Sequence, residues 1–273
     1  MRDPDCRKLR DKISPCMETG EAGVSMQKRS FHGVQRLSVI IPTLNEEGNI
    51  GDCIESVMRQ PAVSQILVAD GGSLDHTCRE AAGLSATVIS CERGRGRQIA
   101  EAVKKVDGDV ILILHADCRL LPGASRRVIH SLNRRPYAAG GAMRMVFERP
   151  GGKQMIIAFL NNLRTRLIGI AFGDQAQFFR TEVLPLMGGV PPLPLMEDVE
   201  LSLRIKRAGE VLFLPKGTVV SARRWEQGPF LGNVATVLLL FSRYLLRRRM
   251  GGGKEDTMDY YRRYYGNGSG TTQ

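Results

Sequence analysis

The chain has 273 residues and a formal net charge of +11 at pH 7, from 39 Lys and Arg residues against 28 Asp and Glu residues. With 42% hydrophobic and 25% charged residues, the composition excludes a wholly disordered, collagenous or coiled-coil protein. The longest apolar run is too short to span a bilayer, so we do not expect an integral membrane protein. The positive charge predicts an anionic partner, which composition leaves open between nucleic acid, a membrane surface and a phosphorylated small molecule.

The six cysteines form no CxxC pair and have no zinc-ligand spacing with histidine, which indicates reduced thiols in a cytoplasmic protein. The first residues are charged, so we expect no signal peptide. Residues 1–35 are polar and aperiodic, and we interpret them as a disordered tail in which Met26 is an alternative start. Residues 250–273 are interpreted as a flexible tail whose Tyr and Arg residues could bind nucleic acid. Residues 36–249 are then a single domain.

The first half of this domain alternates between short apolar runs and stretches with helical spacing. Strands are predicted at 37–41, 65–69, 86–90 and 110–114, and helices at 49–58, 75–82, 97–106 and 123–132. The strands are apolar throughout instead of alternating with polar residues. This pattern predicts βαβ units and an α/β fold in which a mostly parallel sheet carries helices on both faces.

The second half of the domain is less regular. Strands are predicted at 139–147, 177–180, 211–214 and 219–221, and helices at 155–168, 197–208 and 230–248. The last helix combines an apolar stretch with Arg243 and the run 247–249. Such a helix either covers the core or lies in a membrane interface.

Polar residues follow each of the four strands in the first half, in segments 43–47, 70–73, 92–97 and 115–117. In open α/β sheets, ligands bind outside the carboxyl ends of the strands. Four polar strand ends together therefore predict one binding site.

Two of these regions resemble a known enzyme family. The runs 38–47 (SVIIPTLNEE) and 68–77 (VADGGSLDHT) resemble the opening of family 2 glycosyltransferases with the GT-A fold. Further segments are similar to a bacterial subfamily associated with radical-SAM/selenodomain proteins and sometimes assigned to arsenosugar biosynthesis. These segments are 93–98, 114–117, 173–175, 178–180, 196–200 and 223–226. The resemblance covers residues 37–248 and implies a Rossmann-like nucleotide-diphospho-sugar transferase fold.

The resemblance also implies a nucleoside-diphosphate sugar donor, usually UDP-linked. The positions implied to bind it lie at the strand ends and near the end of the domain: Pro42, Thr43, Asn45, Glu46, Asp70, Gly71, Arg97, His115, Ala116, Asp117 and Arg224. The Asp70 carboxylate can accept a hydrogen bond from the edge of a uracil or guanine base. Among the loop arginines, Arg97 is the favoured ligand of the diphosphate. Helix capping by Asn45 and a solvated basic loop around Arg97 are the alternatives.

A divalent metal, Mg²⁺ or Mn²⁺, is implied at Asp117. Family members often carry Asp-x-Asp at this position, whereas this chain has His115-Ala116-Asp117. His115 could contact the ribose or diphosphate, add an imidazole ligand, or be structural. The departure leaves metal dependence open.

Asp198, paired with Glu197, is the implied catalytic residue, a general base that removes the proton of the acceptor hydroxyl. The alternative is that both are helix-terminal charges favoured by the helix dipole. Contacts with the acceptor or donor sugar are predicted for Gly173, Asp174, Gln175 and Trp225. A buried structural role is the alternative for the tryptophan.

These expectations describe a cytoplasmic, metal-assisted, inverting hexosyltransferase that moves a sugar from a nucleotide donor to a hydroxyl acceptor. One alternative is a polyprenyl-phosphate glycosyltransferase that contacts the inner face of the membrane through the last helix. The other is a basic nucleic-acid-binding protein, although we expect no nucleic acid. Ser221 stands where processive synthases carry the Gln of Gln-x-x-Arg-Trp, which disfavours polymer synthesis.

Overall fold

The computed structural model describes residues 29–221 and 230–250, except for the side chains of 230–235. In these ranges a single sheet of eight strands runs in the order β3-β2-β1-β4-β7-β6-β8-β5. The strands are β1 (Leu37–Thr43), β2 (Val63–Asp70), β3 (Thr87–Ser90), β4 (Val110–Ile113), β5 (Cys118–Leu120), β6 (Ala138–Phe147), β7 (Phe178–Arg180) and β8 (Glu210–Val220). Pairs β1·β2, β1·β4, β2·β3 and β6·β8 are parallel, which confirms the predicted mostly parallel sheet.

Helices connect these strands and cover both faces of the sheet. They are α1 (Ile50–Met58), α2 (Thr77–Gly83), α3 (Arg95–Val103), α4 (Ala124–Arg134), α5 (Gly152–Ile168), α6 (Leu184–Met187), α7 (Glu197–Ala208) and α8 (Phe230–Arg249). Each predicted helix is confirmed to within a few residues. The four-residue α6 escaped prediction because it is too short to show a helical period. In the described ranges, no helix has the length and apolarity needed to cross a bilayer.

The apolar character of β1 explains why helices lie on both sides of it. Successive side chains of a strand point to opposite faces of the sheet. Val39 and Ile41 join the core that also includes residues of α1, α4 and α5, whereas Ile40 joins the core that includes residues of α3 and α7. All three side chains are fully buried.

The predicted strands 211–214 and 219–221 are one continuous strand, β8, so the predicted break between them is wrong. Between the two predicted strands lies Pro-Lys-Gly at 215–217. The chain absorbs it as an irregularity within the strand, where Lys216 has a left-handed φ of 49°. The register against β6 shifts at the same place, between Met143 and Met145. Strand β5 is three residues long and pairs with the end of β8.

The packed chain begins before residue 36, which corrects the predicted boundary of the N-terminal tail. Phe31 and Val34 are buried. The backbone of Val34 exchanges hydrogen bonds of 2.9 Å with the side chain of Asn133 on α4. The fully buried Arg180 donates to the carbonyl of His32. Residues 1–28 and 251–273, and the predicted site residues Arg224 and Trp225, lie outside the described residues.

Candidate active site

The ends of β1 and β2 bring Thr43 and Asp70 side by side, because the two residues are partners in the parallel register. The Asp70 carboxylate accepts hydrogen bonds from the Gly72 and Ser73 amides, each at 2.9 Å, and from the Ser73 hydroxyl at 2.5 Å. Burial acts to raise the pKa of Asp70, but the Ser73 and Gly72 bonds outweigh it and lower that pKa below its usual range. Asp70 is thus held as an anion at the strand end.

The loops that follow β1 and β2 are tied together by Asn45. Its side-chain oxygen accepts from the Leu74 amide at 2.8 Å, and its own amide donates to the Ser73 hydroxyl at 2.9 Å. Asn45 therefore joins two loops and does not cap α1, for which Asn49 is the cap position. The next residue, Glu46, accepts from the Asn49 side chain at 2.7 Å.

Gln98 is a site-building residue to which sequence reasoning gave no role. Its amide nitrogen donates to the carbonyls of Thr43 and Ala69, each at 2.7 Å, beneath the point where β1 and β2 end. The side chain is 3% exposed and lies against Gly71. The sequence signal that could have identified this role is the position of Gln98, an amide side chain next to Ile99 on the buried face of an amphipathic helix.

The segment His115-Ala116-Asp117 forms a tight turn after β4. The Cys118 amide donates to the His115 carbonyl at 3.0 Å, and the Ser221 amide donates to the Asp117 carbonyl at 3.2 Å. The side chains of His115 and Asp117 are both partly exposed, whereas Ala116 is buried. The turn therefore presents an imidazole and a carboxylate at the edge where β1, β2 and β3 also end.

Gly173 connects this turn with the predicted base. A Cβ at Gly173 would lie 2.1 Å from two atoms of the His115 ring, so only a glycine allows the approach. The Gly173 amide donates to Asp198 Oδ2 at 2.9 Å. Thus the structure brings His115, Gly173 and Asp198 together, although 83 residues separate the first from the last.

The carboxylate of Asp198 has a fixed orientation at the start of α7. The other carboxylate oxygen, Oδ1, accepts from the Val199 amide at 2.7 Å. The backbone carbonyl of Asp198 accepts from the Gln177 side chain at 2.8 Å. Met196, the residue before α7, has a left-handed φ of 62°, which turns the chain into the helix. Asp198 is partly exposed, so a substrate can reach it.

Glu197 points the other way, into the protein. It is 2% exposed, whereas a solvated helix-terminal charge would face water. Arg95 Nε lies 2.8 Å from Glu197 Oε1, and no described group meets hydrogen-bond geometry with either carboxylate oxygen. Burial raises the pKa of Glu197 to about 7; Asp198 adds to this rise and Arg95 opposes it.

The loop arginines have different surroundings. Arg95 lies against Glu197 with 27% of its side chain exposed. Arg97 forms an ion pair of 2.9 Å with Glu92, and half of its side chain is exposed. The structure therefore joins Arg95 to the predicted catalytic pair and leaves Arg97 at the surface.

The residues after Gly173 divide between the site and the interior. Asp174 is partly exposed, and its carboxylate lies 3.4 Å from the Asn161 amide on α5. Gln175 is fully buried, and its side-chain oxygen accepts from Thr165 at 2.6 Å and from Arg164 at 3.2 Å. Gln175 thus fixes the loop to α5.

Arg164 is a second residue without a predicted role. Its guanidinium lies 3.3 Å from the centre of the Phe172 ring and donates to the Ile170 carbonyl at 3.1 Å. Burial lowers the pKa of Arg164, while the charges of Asp174 and Asp198 act to raise it. Arg164 is thus a partly buried cation whose charge acts on both carboxylates.

This geometry agrees with comparisons to known proteins. A sequence profile described as glycosyl transferase family 2 matches residues 38–184, more than half of the chain. The chain belongs to glycosyl transferase family 2. The match contains the strand ends with Asp70 and Asp117, and also Gly173 and Gln175.

Two curated relatives of this family 2 member are similar over part of their length. A low-salt glycan biosynthesis hexosyltransferase of Haloferax volcanii is 41% identical over 87 residues, which are 30% of this chain and 21% of that protein. A glucosyl-3-phosphoglycerate synthase of Mycobacterium tuberculosis is 26% identical over 141 residues, 43% of this chain and 44% of that protein. The chain thus spans less than half the length of these relatives.

Solved structures confirm the GT-A fold of the chain. S. aureus TarS aligns over 68% of this chain and 36% of its own, with a TM-score of 0.54 and 18% identity. The M. tuberculosis glucosyl-3-phosphoglycerate synthase in complex with Mn²⁺, UDP and glucosyl-3-phosphoglycerate aligns over 68% of this chain and 71% of its own. The TM-score is 0.50 and the identity 20%. At these identities the likeness concerns the fold alone.

Proposed function

We propose that the protein transfers a sugar from a nucleoside-diphosphate donor, with UDP as the first candidate, to a hydroxyl acceptor with inversion at the anomeric carbon. The observation that carries the proposal is the position of Asp198. Two backbone amides orient its carboxylate, which is partly exposed and lies next to Gly173 and His115. A general base must lie within reach of the acceptor hydroxyl, and a fixed, partly exposed carboxylate close to the turn after β4 suits that role.

The strand ends supply the donor site in this proposal. The Asp70 carboxylate can accept a hydrogen bond from an N–H group on the edge of a base, such as N3–H of uracil. Asn45 and Gln98 fix the loops around it. Arg97 is half exposed and can turn from Glu92 towards a diphosphate. The M. tuberculosis synthase, with a TM-score of 0.51 and 21% identity in its complex with Mn²⁺ and UDP-glucose, supports UDP as the first nucleotide to test.

Asp198 would take the proton of the acceptor hydroxyl as its oxygen attacks the anomeric carbon. The new carbon–oxygen bond forms as the bond to the diphosphate breaks, and that electron pair leaves with the diphosphate. Attack from the face opposite the leaving group inverts the anomeric centre. Glu197 is buried beneath Asp198 and does not face the acceptor; together with Arg95 it positions the start of α7.

The residues at the end of β4 fit a divalent metal held jointly with the donor. No group of three His, Cys, Asp or Glu side chains within residues 29–221 and 230–250 could hold a metal by itself. Mg²⁺ and Mn²⁺ sites commonly use one or two carboxylates together with substrate phosphates. The partly exposed Asp117 supplies such a carboxylate, with His115 beside it. Bound there, the ion would neutralise charge on the diphosphate.

Isothermal titration of the chain with UDP, UDP-glucose and GDP-mannose, with and without Mn²⁺, tests the donor assignment. Binding of one nucleotide sugar that strengthens with Mn²⁺ is expected, and binding of none would reject the proposal. Asp198→Asn should bind the donor as before but lose transfer by about a hundredfold or more. Glu101→Gln, an exposed acid at the far end of α3, is the control and should transfer normally.

The acceptor is proposed only as a class, a hydroxyl compound or a lipid phosphate. The lipid-phosphate alternative is favoured by α8, in which Leu238, Leu239 and Leu246 are exposed beside basic residues. A Proteus mirabilis undecaprenyl-phosphate 4-deoxy-4-formamido-L-arabinose transferase is 22% identical over 163 residues, 55% of this chain and 50% of that protein. Transfer assays should therefore compare undecaprenyl phosphate with small polyols.

A further inference from the structure

The outer face of α5 is apolar although it is exposed. Six large side chains form this face, and each is between 37% and 70% exposed: Met155, Ile156, Phe159, Leu160, Leu163 and Leu167. Their spacing of one, three and four residues places them on one side of the helix. We call these six residues the α5 outer face.

The inner face of the same helix combines Ile157, which is buried in the core, with several polar side chains. Asn162 exchanges hydrogen bonds of 3.0 and 3.1 Å with the backbone of Met145, and Thr165 donates to Gln175 at 2.6 Å. Asn161 reaches towards Asp174. A surface helix of a globular protein normally turns its larger apolar stripe towards the core, whereas the larger apolar stripe of α5 faces outward. The α5 outer face therefore does not serve the core and is available to a partner.

The charged side chains of α5 itself are all basic. Residues 149–173 contain no Asp or Glu, and three exposed basic side chains, Arg149, Lys153 and Arg166, lie along the helix or just before it. Residues 230–250, which include α8, also contain no acid and carry the arginine run 247–249. A second copy of the chain would bring like charges together, whereas an anionic lipid surface complements both the apolar and the basic groups.

We propose that the α5 outer face is a membrane-interface element that inserts its apolar side chains between the headgroups of an anionic bilayer. This surface is separate from α8, the helix for which the sequence offers membrane contact as an alternative to covering the core. The inner face of α5 contacts Asp174 and Gln175, and the neighbouring Gly173 contacts Asp198. Attachment of α5 to the bilayer would therefore place this segment next to the lipid surface. The attachment requires no particular donor or acceptor.

Vesicle flotation of the full chain tests this proposal. Phosphatidylcholine vesicles with phosphatidylglycerol should carry the protein, and vesicles of phosphatidylcholine alone should carry much less. Phe159→Ser/Leu167→Ser removes the two most exposed apolar side chains of the face and should weaken vesicle binding by about tenfold. Met58→Ser, at an exposed position on α1 with a similar exposed fraction, is the matched control and should bind as the parent does.

Thermal melting and a UDP titration of the same variants show whether they are folded, independently of lipid. Failure of the parent chain to float would overturn the proposal. Flotation unchanged in Phe159→Ser/Leu167→Ser would assign the attachment to another surface and overturn it for α5. Sedimentation velocity tests whether a second copy of the chain occupies the face instead. If the parent chain does not float but forms a dimer, and the double substitution dissociates that dimer, the α5 outer face is a self-association surface and the membrane proposal is overturned.

Discussion

The two sides of the candidate site are built in different ways. On the proposed donor side, the strand ends are held by short hydrogen bonds within and between neighbouring loops, such as those of Asp70 and Asn45. On the proposed acceptor side, the buried Glu197 and the partly buried Arg164 lie behind the partly exposed carboxylate of Asp198. The donor side can therefore tolerate local change in a loop, whereas the acceptor side depends on burial and on packing across the molecule.

The contact between the two sides should be the most sensitive point. A Cβ at Gly96, on α3, would lie 2.4 to 2.6 Å from backbone atoms of Pro191 and Leu193 in the loop before α7. Backbone atoms cannot rotate away as a side chain can, so Gly96→Ala should lower the free energy of unfolding by about 3 kcal/mol. Urea denaturation measures this loss.

Gly83→Ala is the matched control for that substitution. Gly83 lies at the end of α2, and nothing would contact its Cβ within 4 Å. Alanine there should leave stability unchanged or raise it slightly, because alanine restricts the unfolded chain. A Gly96→Ala protein as stable as this control would show that the two sides are not tightly joined.

The buried pair predicts a pH dependence specific to the acceptor side. Because the pKa of Glu197 is raised to about 7 in the folded protein, from 4.5, the folded state binds more protons between these values. Stability from this group is therefore complete below about pH 4.5 and is lost as the pH rises towards 7. The loss should amount to about 3 kcal/mol.

Glu197→Gln isolates this contribution because glutamine has no titrating proton. Urea denaturation at about pH 5 and about pH 8 should show a larger fall in stability for the parent chain than for the variant. Equal falls in both proteins would mean that Arg95 keeps Glu197 ionised throughout. In that case the acceptor side would be held by an ion pair and not by a protonated carboxyl group.

The sequence predicts the donor side better than the acceptor side for a physical reason. Each polar strand end follows its strand directly, so the parallel sheet places Asp70 and Asp117 at one edge once the strands are known. The role of Gln98 depends on which side of α3 is buried, and that of Arg164 on the packing of α5 against a distant loop. The apolar residues of α5 were predicted to form an amphipathic helix, but periodicity does not show which face points outward.

A direct test of the donor side concerns Asp70. Asp70→Asn keeps the size of the side chain but removes the anion that accepts from Gly72 and Ser73. Affinity for the nucleotide, measured by titration calorimetry, should fall by about tenfold, because bonds to a charged acceptor are stronger than neutral ones. Asp107→Asn, an exposed acid at the opposite edge of the sheet, is the control. Unchanged affinity in the Asp70 variant would show that the nucleobase does not bind at Asp70.

The smallest expected effect distinguishes the two loop arginines. Arg97 is paired with Glu92 at the surface, and exposed pairs contribute less than about 1 kcal/mol, so Arg97→Ala should leave thermal stability nearly unchanged. If Arg97 turns to the diphosphate, the same substitution should weaken UDP binding by about threefold, with little effect on uridine. Lys104→Ala, which breaks a similar exposed pair with Glu101, should change neither property. Equal binding of UDP by the parent chain and Arg97→Ala would exclude Arg97 as a diphosphate ligand. Arg95, which lies beside Glu197, would then be the next arginine to test.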